Sequence, residues 1–181
     1  MGRHAVPALF VLFALLAPLA LLAPACDGRP QVDGPHLADP PEGFAFDPNC
    51  QSARTFLLGR APRSQRCYEE HFSDAPDWIT ISTFEGPVDE AAANAARDAH
   101  EKQYGSPNVA EYSALQPLEL AGRPGWCFFE TDVYKGKTDS VTLYALVAVD
   151  GTTYALDYVV HARRPVDEAQ MRTVLKSFAA R

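Results

Sequence analysis

The strongest constraint on the fold lies between Trp126 and His161. Three strand-forming runs, Trp126 to Tyr134, Val141 to Val149 and Thr153 to His161, follow one another with only short connections. Lys135 to Asp139 joins the first pair and Asp150-Gly151 the second. Asp-Gly is a favoured two-residue hairpin turn because both turn positions need positive φ. These runs therefore predict an antiparallel meander, since a parallel pair would need a long crossover.

The elements around the meander are also legible. Trp78 to Phe84 (Trp-Ile-Thr-Ile-Ser-Thr-Phe) is rich in β-branched and aromatic residues and reads as a strand. Arg66 to Phe72 reads as an exposed or edge strand because it carries Glu69-Glu70-His71. Residues 51–58 suggest a short helix, 109–115 and 118–121 short strands, and Ala121 to Gly125 a turn. A helix is expected from Val88 to Tyr104, with Pro87 before it, Asp89 and Glu90 in its first turn and Gly105 beyond its end. Its alanines Ala92, Ala95, Ala96 and Ala99 form a small-residue face suited to close packing on a sheet. A second helix from Pro165 to about Ala179 places Met171, Val174, Leu175 and Phe178 on one face. Both helices open on the same Pro-Val-Asp-Glu-Ala sequence, at Pro87 and Pro165. The fold class expected is α+β, an antiparallel sheet with flanking helices.

The order Trp78-Ile79-Thr80-Ile81, helix, Leu118-Glu119-Leu120-Ala121-Gly122-Arg123-Pro124-Gly125, strands, and a terminal helix closing on Leu175-Lys176-Ser177-Phe178 resembles the PsbP-like α/β/α sandwich superfamily. The resemblance spans roughly residues 43–180. That superfamily includes many small bacterial lipoproteins of unknown role, the photosystem II extrinsic protein and a Ran-binding nuclear factor. It implies docking or assembly of other proteins, and it carries no site residues over.

The N-terminus is a separate problem. Met1-Gly2-Arg3-His4 is a short basic start, Ala5 to about Ala25 is apolar and uncharged, and Ala23-Pro24-Ala25 is a run of small residues. Together they match an export signal over residues 1–25. Cys26 directly after small residues resembles a bacterial lipobox, where the cysteine takes acyl chains such as palmitate and becomes the mature N-terminus. Ala23 stands where a lipobox usually carries Leu. The same small residues suit ordinary signal peptidase and soluble release. The apolar run is also about long enough to span a bilayer, although Pro18 interrupts a continuous helix. Lipid attachment at Cys26 is the reading adopted. It makes the protein an exported, membrane-anchored lipoprotein facing the periplasm or the cell exterior.

Residues 26–42 are dominated by Pro, Gly and Asp without apolar periodicity, and are expected to be a flexible tether. Residues 43–181 are then one domain; the 156 residues beyond the signal are too few for two ordinary ones. Without the signal the chain has 15 basic against 23 acidic residues. That balance repels phosphate backbones and excludes nucleic acid as a partner class.

Cys50, Cys67 and Cys127 follow Cys26, in a compartment where disulfides persist. Cys50–Cys67 is the expected pair, closing a loop of modest length, with Cys127 a core thiol between Trp126 and Phe128. Pairing of Cys127 with either of the others remains open on sequence. No nucleophile elbow, phosphate loop or zinc spacing occurs. His100-Glu101 begins like HExxH, but Tyr104 stands where the second ligand belongs. Glu69 and His71 share one strand face and are weak candidates for a metal or acid–base site. Glu130 and Asp132 share a face of the first long strand, where a cation site is conceivable but ordinary half-buried alternation is expected. Tyr134, Tyr144, Tyr154 and Tyr158 line the meander. They are expected to pack in it, and would make a recognition surface if they clustered outside. The functional expectation is a non-catalytic protein-binding or assembly module without cofactor, meeting an envelope protein at the sheet's exposed face or at a groove between sheet and terminal helix. Two alternatives stand beside it: a small metal-binding or hydrolytic protein using Glu69 and His71, and a purely structural lipoprotein.

Overall fold

The computed structural model describes residues 33–47, 58–70, 76–106, 110–163 and 165–181, all within the compact unit Val32–Arg181. In chain order the elements are β1 (His36–Leu37), β2 (Phe44–Asp47), β3 (Ser64–Glu70), β4 (Trp78–Glu85), α1 (Glu90–Tyr104), β5 (Ala110–Tyr112), β6 (Gln116–Leu120), β7 (Arg123–Tyr134), β8 (Lys137–Val149), β9 (Thr152–His161), α2 (Glu168–Lys176) and β10 (Phe178–Ala179). The main sheet runs β2-β3-β4-β9-β8-β7-β5, with β6 also on β7, and its pairings are antiparallel. This is the α+β class expected.

The meander is its spine. β7 and β8 meet through Lys135-Gly136 and β8 and β9 through Asp150-Gly151, each a pair of positive-φ residues. The first connection is thus shorter than the five residues expected, and Asp139 lies at a bulge opposite Asp132/Val133. The turn at Ala121-Gly122 is of the same kind, and Arg123 to Gly125 belong to β7 rather than to the turn. Gly125 is needed there for closeness: a Cβ would come within 2.5 Å of the Leu146 carbonyl. The residues 51–58 of the expected short helix lie outside the described residues except Leu58.

β8 is buried on both faces, so the sheet has two cores. Leu143, Ala145 and Val147 point into the larger one, with Ile79, Ile81, Phe129 and Leu156, under Met171 and Leu175 of α2. Tyr144 and Leu146 point into the other, with Phe84, Phe128 and Ala155, under Ala93 and Ala96 of α1. Both helices begin where the repeated Pro-Val-Asp-Glu-Ala puts an aspartate at the N-cap. Asp89 accepts from the Ala92 amide, and Asp167 from those of Ala169 and Gln170. That phase corrects the expected alanine face. Ala93, Ala96 and His100 are buried, whereas Ala92, Ala95 and Ala99 are exposed. The second helix is also shorter than expected. Ser177 caps it, and Phe178 leaves the helix to pair in β10.

The tether expected over 26–42 does not hold for its second half. His36–Leu37 pairs with Phe178–Ala179, and Leu37 is only 3% exposed in the larger core. Its amide donates to the Tyr68 hydroxyl at 2.8 Å, the Ala38 amide to the Ser177 carbonyl at 2.8 Å, and the Arg66 guanidinium to the Asp33 carbonyl. One leucine and a set of backbone hydrogen bonds hold this strap, which is why no periodicity announced it. Leu37→Ala should therefore cost about 2–4 kcal/mol, the usual range for a buried leucine. Urea unfolding checks it, and an unchanged midpoint would show that the strap is not part of the core.

Candidate functional site

Glu69 lies exposed on β3 opposite Trp78, and His71 lies outside the described residues. Among the described residues, no group of three His, Cys, Asp or Glu side chains is placed to hold a metal ion. Cys26 and Cys50 also lie outside the described residues. Cys67 on β3 is disulfide-bonded. Cys127 is a free, buried thiol, which removes the alternative pairings through it. Burial raises its pKa, and Arg172 of α2 opposes the rise by donating to the sulfur at 2.9 Å. The same guanidinium stacks 4.8 Å from the Phe129 ring centroid and fastens α2 to the sheet.

Glu130 and Asp132 share a face as expected, but each is taken by a hydroxyl: Tyr144 donates to Glu130 at 2.8 Å and Ser140 to Asp132 at 2.7 Å. His100 completes a cluster that sequence reading did not assemble. Its Nδ1 is 3.2 Å from the Tyr112 hydroxyl and 3.8 Å from the Glu130 carboxylate, and its ring lies against Tyr104, Tyr112 and Tyr144. Glu101 points outward and pairs with Arg97 instead. Tyr112 comes from β5 and Tyr144 from β8, Tyr104 and the histidine from α1 and the acid from β7, so the only sequence signal was the phase of each element. His100, Glu130 and Tyr144 are buried. The cluster therefore acts as a polar lock between α1 and the sheet.

A second polar cluster sits at the end of the sheet where β9 finishes. Asp77 is fully buried, accepts from the His161 amide at 2.9 Å, and lies 3.5 Å from His161 Nδ1 and 3.4 Å from Arg163. Arg163 also pairs with Glu70. These contacts pin the segment that leaves β9 against β3 and β4. Between that segment and the β7–β8 hairpin opens a groove of about 570 Å³. Its hairpin wall is Thr131, Thr138 and Val141, and its other wall is Arg163, Val166 and Glu168. Only Glu168, the first residue of α2, comes from the terminal helix itself, and the groove's size is that of a typical binding cleft. The tyrosines do not cluster outside the meander: Tyr144 and Tyr158 are buried, Tyr154 packs on Phe178, and Tyr134 alone of the four is exposed, at 64%.

No family model and no curated protein matches the chain. Among solved structures it is similar to a protein of Bacteroides thetaiotaomicron (9% identity, TM-score 0.44, 82% of this chain and 48% of that one), so it spans about half the length of that protein. It is also similar to the Ran-binding protein Mog1p of Saccharomyces cerevisiae (14%, TM-score 0.43, 77% and 87%). A third is LpqN, involved in cell envelope biogenesis of Mycobacterium tuberculosis (15%, TM-score 0.44, 81% and 80%). At TM-scores below 0.5 none of these sets a role for this chain.

The lock has a pH signature. Burial first, and the Glu130 charge second, push the Tyr112 hydroxyl well above its ordinary 10.0. Its neutral form is the one the fold holds. The stability it contributes is complete below the unfolded pKa and is lost as pH rises toward the folded one. From about pH 10, the ordinary tyrosine value, upward, the unfolding midpoint should fall. Tyr112→Phe should flatten that fall, and an identical slope in both proteins would remove Tyr112 from the lock.

Proposed function

We propose that this chain is an exported lipoprotein of the cell envelope, anchored through Cys26, that binds a partner protein at the groove beside α2 and catalyses no reaction. The observation that carries the reading is the groove itself. It has mixed apolar and hydroxyl walls, one guanidinium and one carboxylate, and Arg163 is held on its far side by Glu70 and Asp77. A compensated arginine shapes a wall and leaves little free charge for activating a substrate. The small residues before Cys26 and the apolar leader support the anchor. The PsbP-like order of elements supports the docking role as fold analogy.

Two measurements test the parts separately. Mass spectrometry of the mature protein should find an acylated Cys26 at the N-terminus, and denatured, unreduced protein should then show one reactive thiol, that of Cys127. A bare N-terminal cysteine, or a signal still attached, ends the anchor proposal. Three reactive thiols contradict a closed Cys50–Cys67 pair. For the groove, a photo-crosslinker at position 138 in intact cells should trap a discrete envelope protein, and exposed Glu168→Arg in the same background should abolish the adduct. No adduct, or one equally strong from position 119 on the far hairpin, overturns the assignment of the groove.

A further inference from the structure

From Asp33 to Gly43, Leu37 alone is buried, and the main sheet takes up its first rung at Phe44. The rest of the strap's hold is light. β1 and β10 are two residues each and form a sheet of their own, apart from the main one. To the bonds from Leu37, Ala38 and Asp33 already described, the Ser177 hydroxyl adds one to the Asp39 carbonyl at 3.3 Å. Gly34, at φ +89°, lets the Arg66 guanidinium lie close, where a Cβ would come within 2.8 Å of it. A hinge stands at the other end of the strap. Pro40-Pro41 lead into Gly43 at φ +85°, in a turn closed by the Phe44 amide on the Pro41 carbonyl at 3.2 Å. Swinging residues 33–43 outward about that turn therefore breaks no rung of the main sheet.

We infer that residues 33–43 are a latch, which opens as one unit while the main sheet and both helices stay folded. Relative strength decides this. Undocking gives up one buried leucine and a few hydrogen bonds, each of modest net worth. Global unfolding gives up the long ladders and both cores. Parts held so unequally open separately, the weaker one with little new exposure of surface. Opening bares the Tyr68 hydroxyl, the edge of β10 and the place of one leucine side chain. It also frees residues 33–43, which add at most about 40 Å of extended chain ahead of the domain. On the anchoring at Cys26 proposed above, the latch then sets how much free chain joins anchor and domain, less when docked and more when open. The latch itself rests on the strap's contacts and not on that anchoring.

Hydrogen exchange of the mature protein across low urea concentrations tests the latch. Corrected for intrinsic rates, the Leu37 and Ala38 amides should exchange at least about a hundredfold faster than the Leu143 amide of β8. Their exchange should depend little on urea, whereas Leu143 should show the full slope of global unfolding. Leu37→Asp, which puts a charge where the leucine sits, should lower the protection of the Ala38 amide on the order of a hundredfold and leave Leu143 with its global slope. A Leu37 amide that shares the rate and slope of Leu143 overturns the latch. So does a Leu37→Asp chain in which β8 loses its protection along with the strap. Neither readout depends on acylation, so an unmodified Cys26 removes the anchor proposal and leaves the latch standing.

Discussion

Everything in the domain hangs on the burial of β8 on both faces. A strand inside a two-faced sheet must present apolar or satisfied side chains in both directions, and its ladder must be complete on both edges. β7 and β9 supply the ladders through two-residue turns. The outer edge of β7 is in turn closed by β5 and β6. In the gap between them Ser113 bonds Phe129 twice, its amide donating to the carbonyl at 2.9 Å and its hydroxyl accepting from the amide at 2.8 Å. A closed edge of this kind does not template another chain.

The two faces of the sheet are satisfied by different chemistry. The α2 face is almost wholly apolar, and its helix is fastened by Arg172 on Phe129 and Cys127. The α1 face carries Thr80, Ser82, Glu130, Thr142 and Asp157 among its buried side chains. Buried polar groups of this kind hold a structure together only when partnered, because each one left alone costs the full loss of its hydration. Around Glu130 the partners are Tyr144 and the His100–Tyr112 pair. α1 buries only two alanines and a histidine on this face. It therefore relies on that cluster for the register that apolar volume supplies under α2.

How much of this could be read beforehand follows from the range of each interaction. The meander, β4 and both helices were legible because period, turn chemistry and caps are local. The repeated Pro-Val-Asp-Glu-Ala even marked both N-caps, although the helix starts fell two or three residues later than expected. The strap, the two polar clusters and the alanine face were not legible. Leu37 is one apolar residue among prolines and aspartates, and its partners Tyr68 and Ser177 lie far along the chain. Likewise Asp77, His161 and Arg163 meet only because β4 and β9 pair.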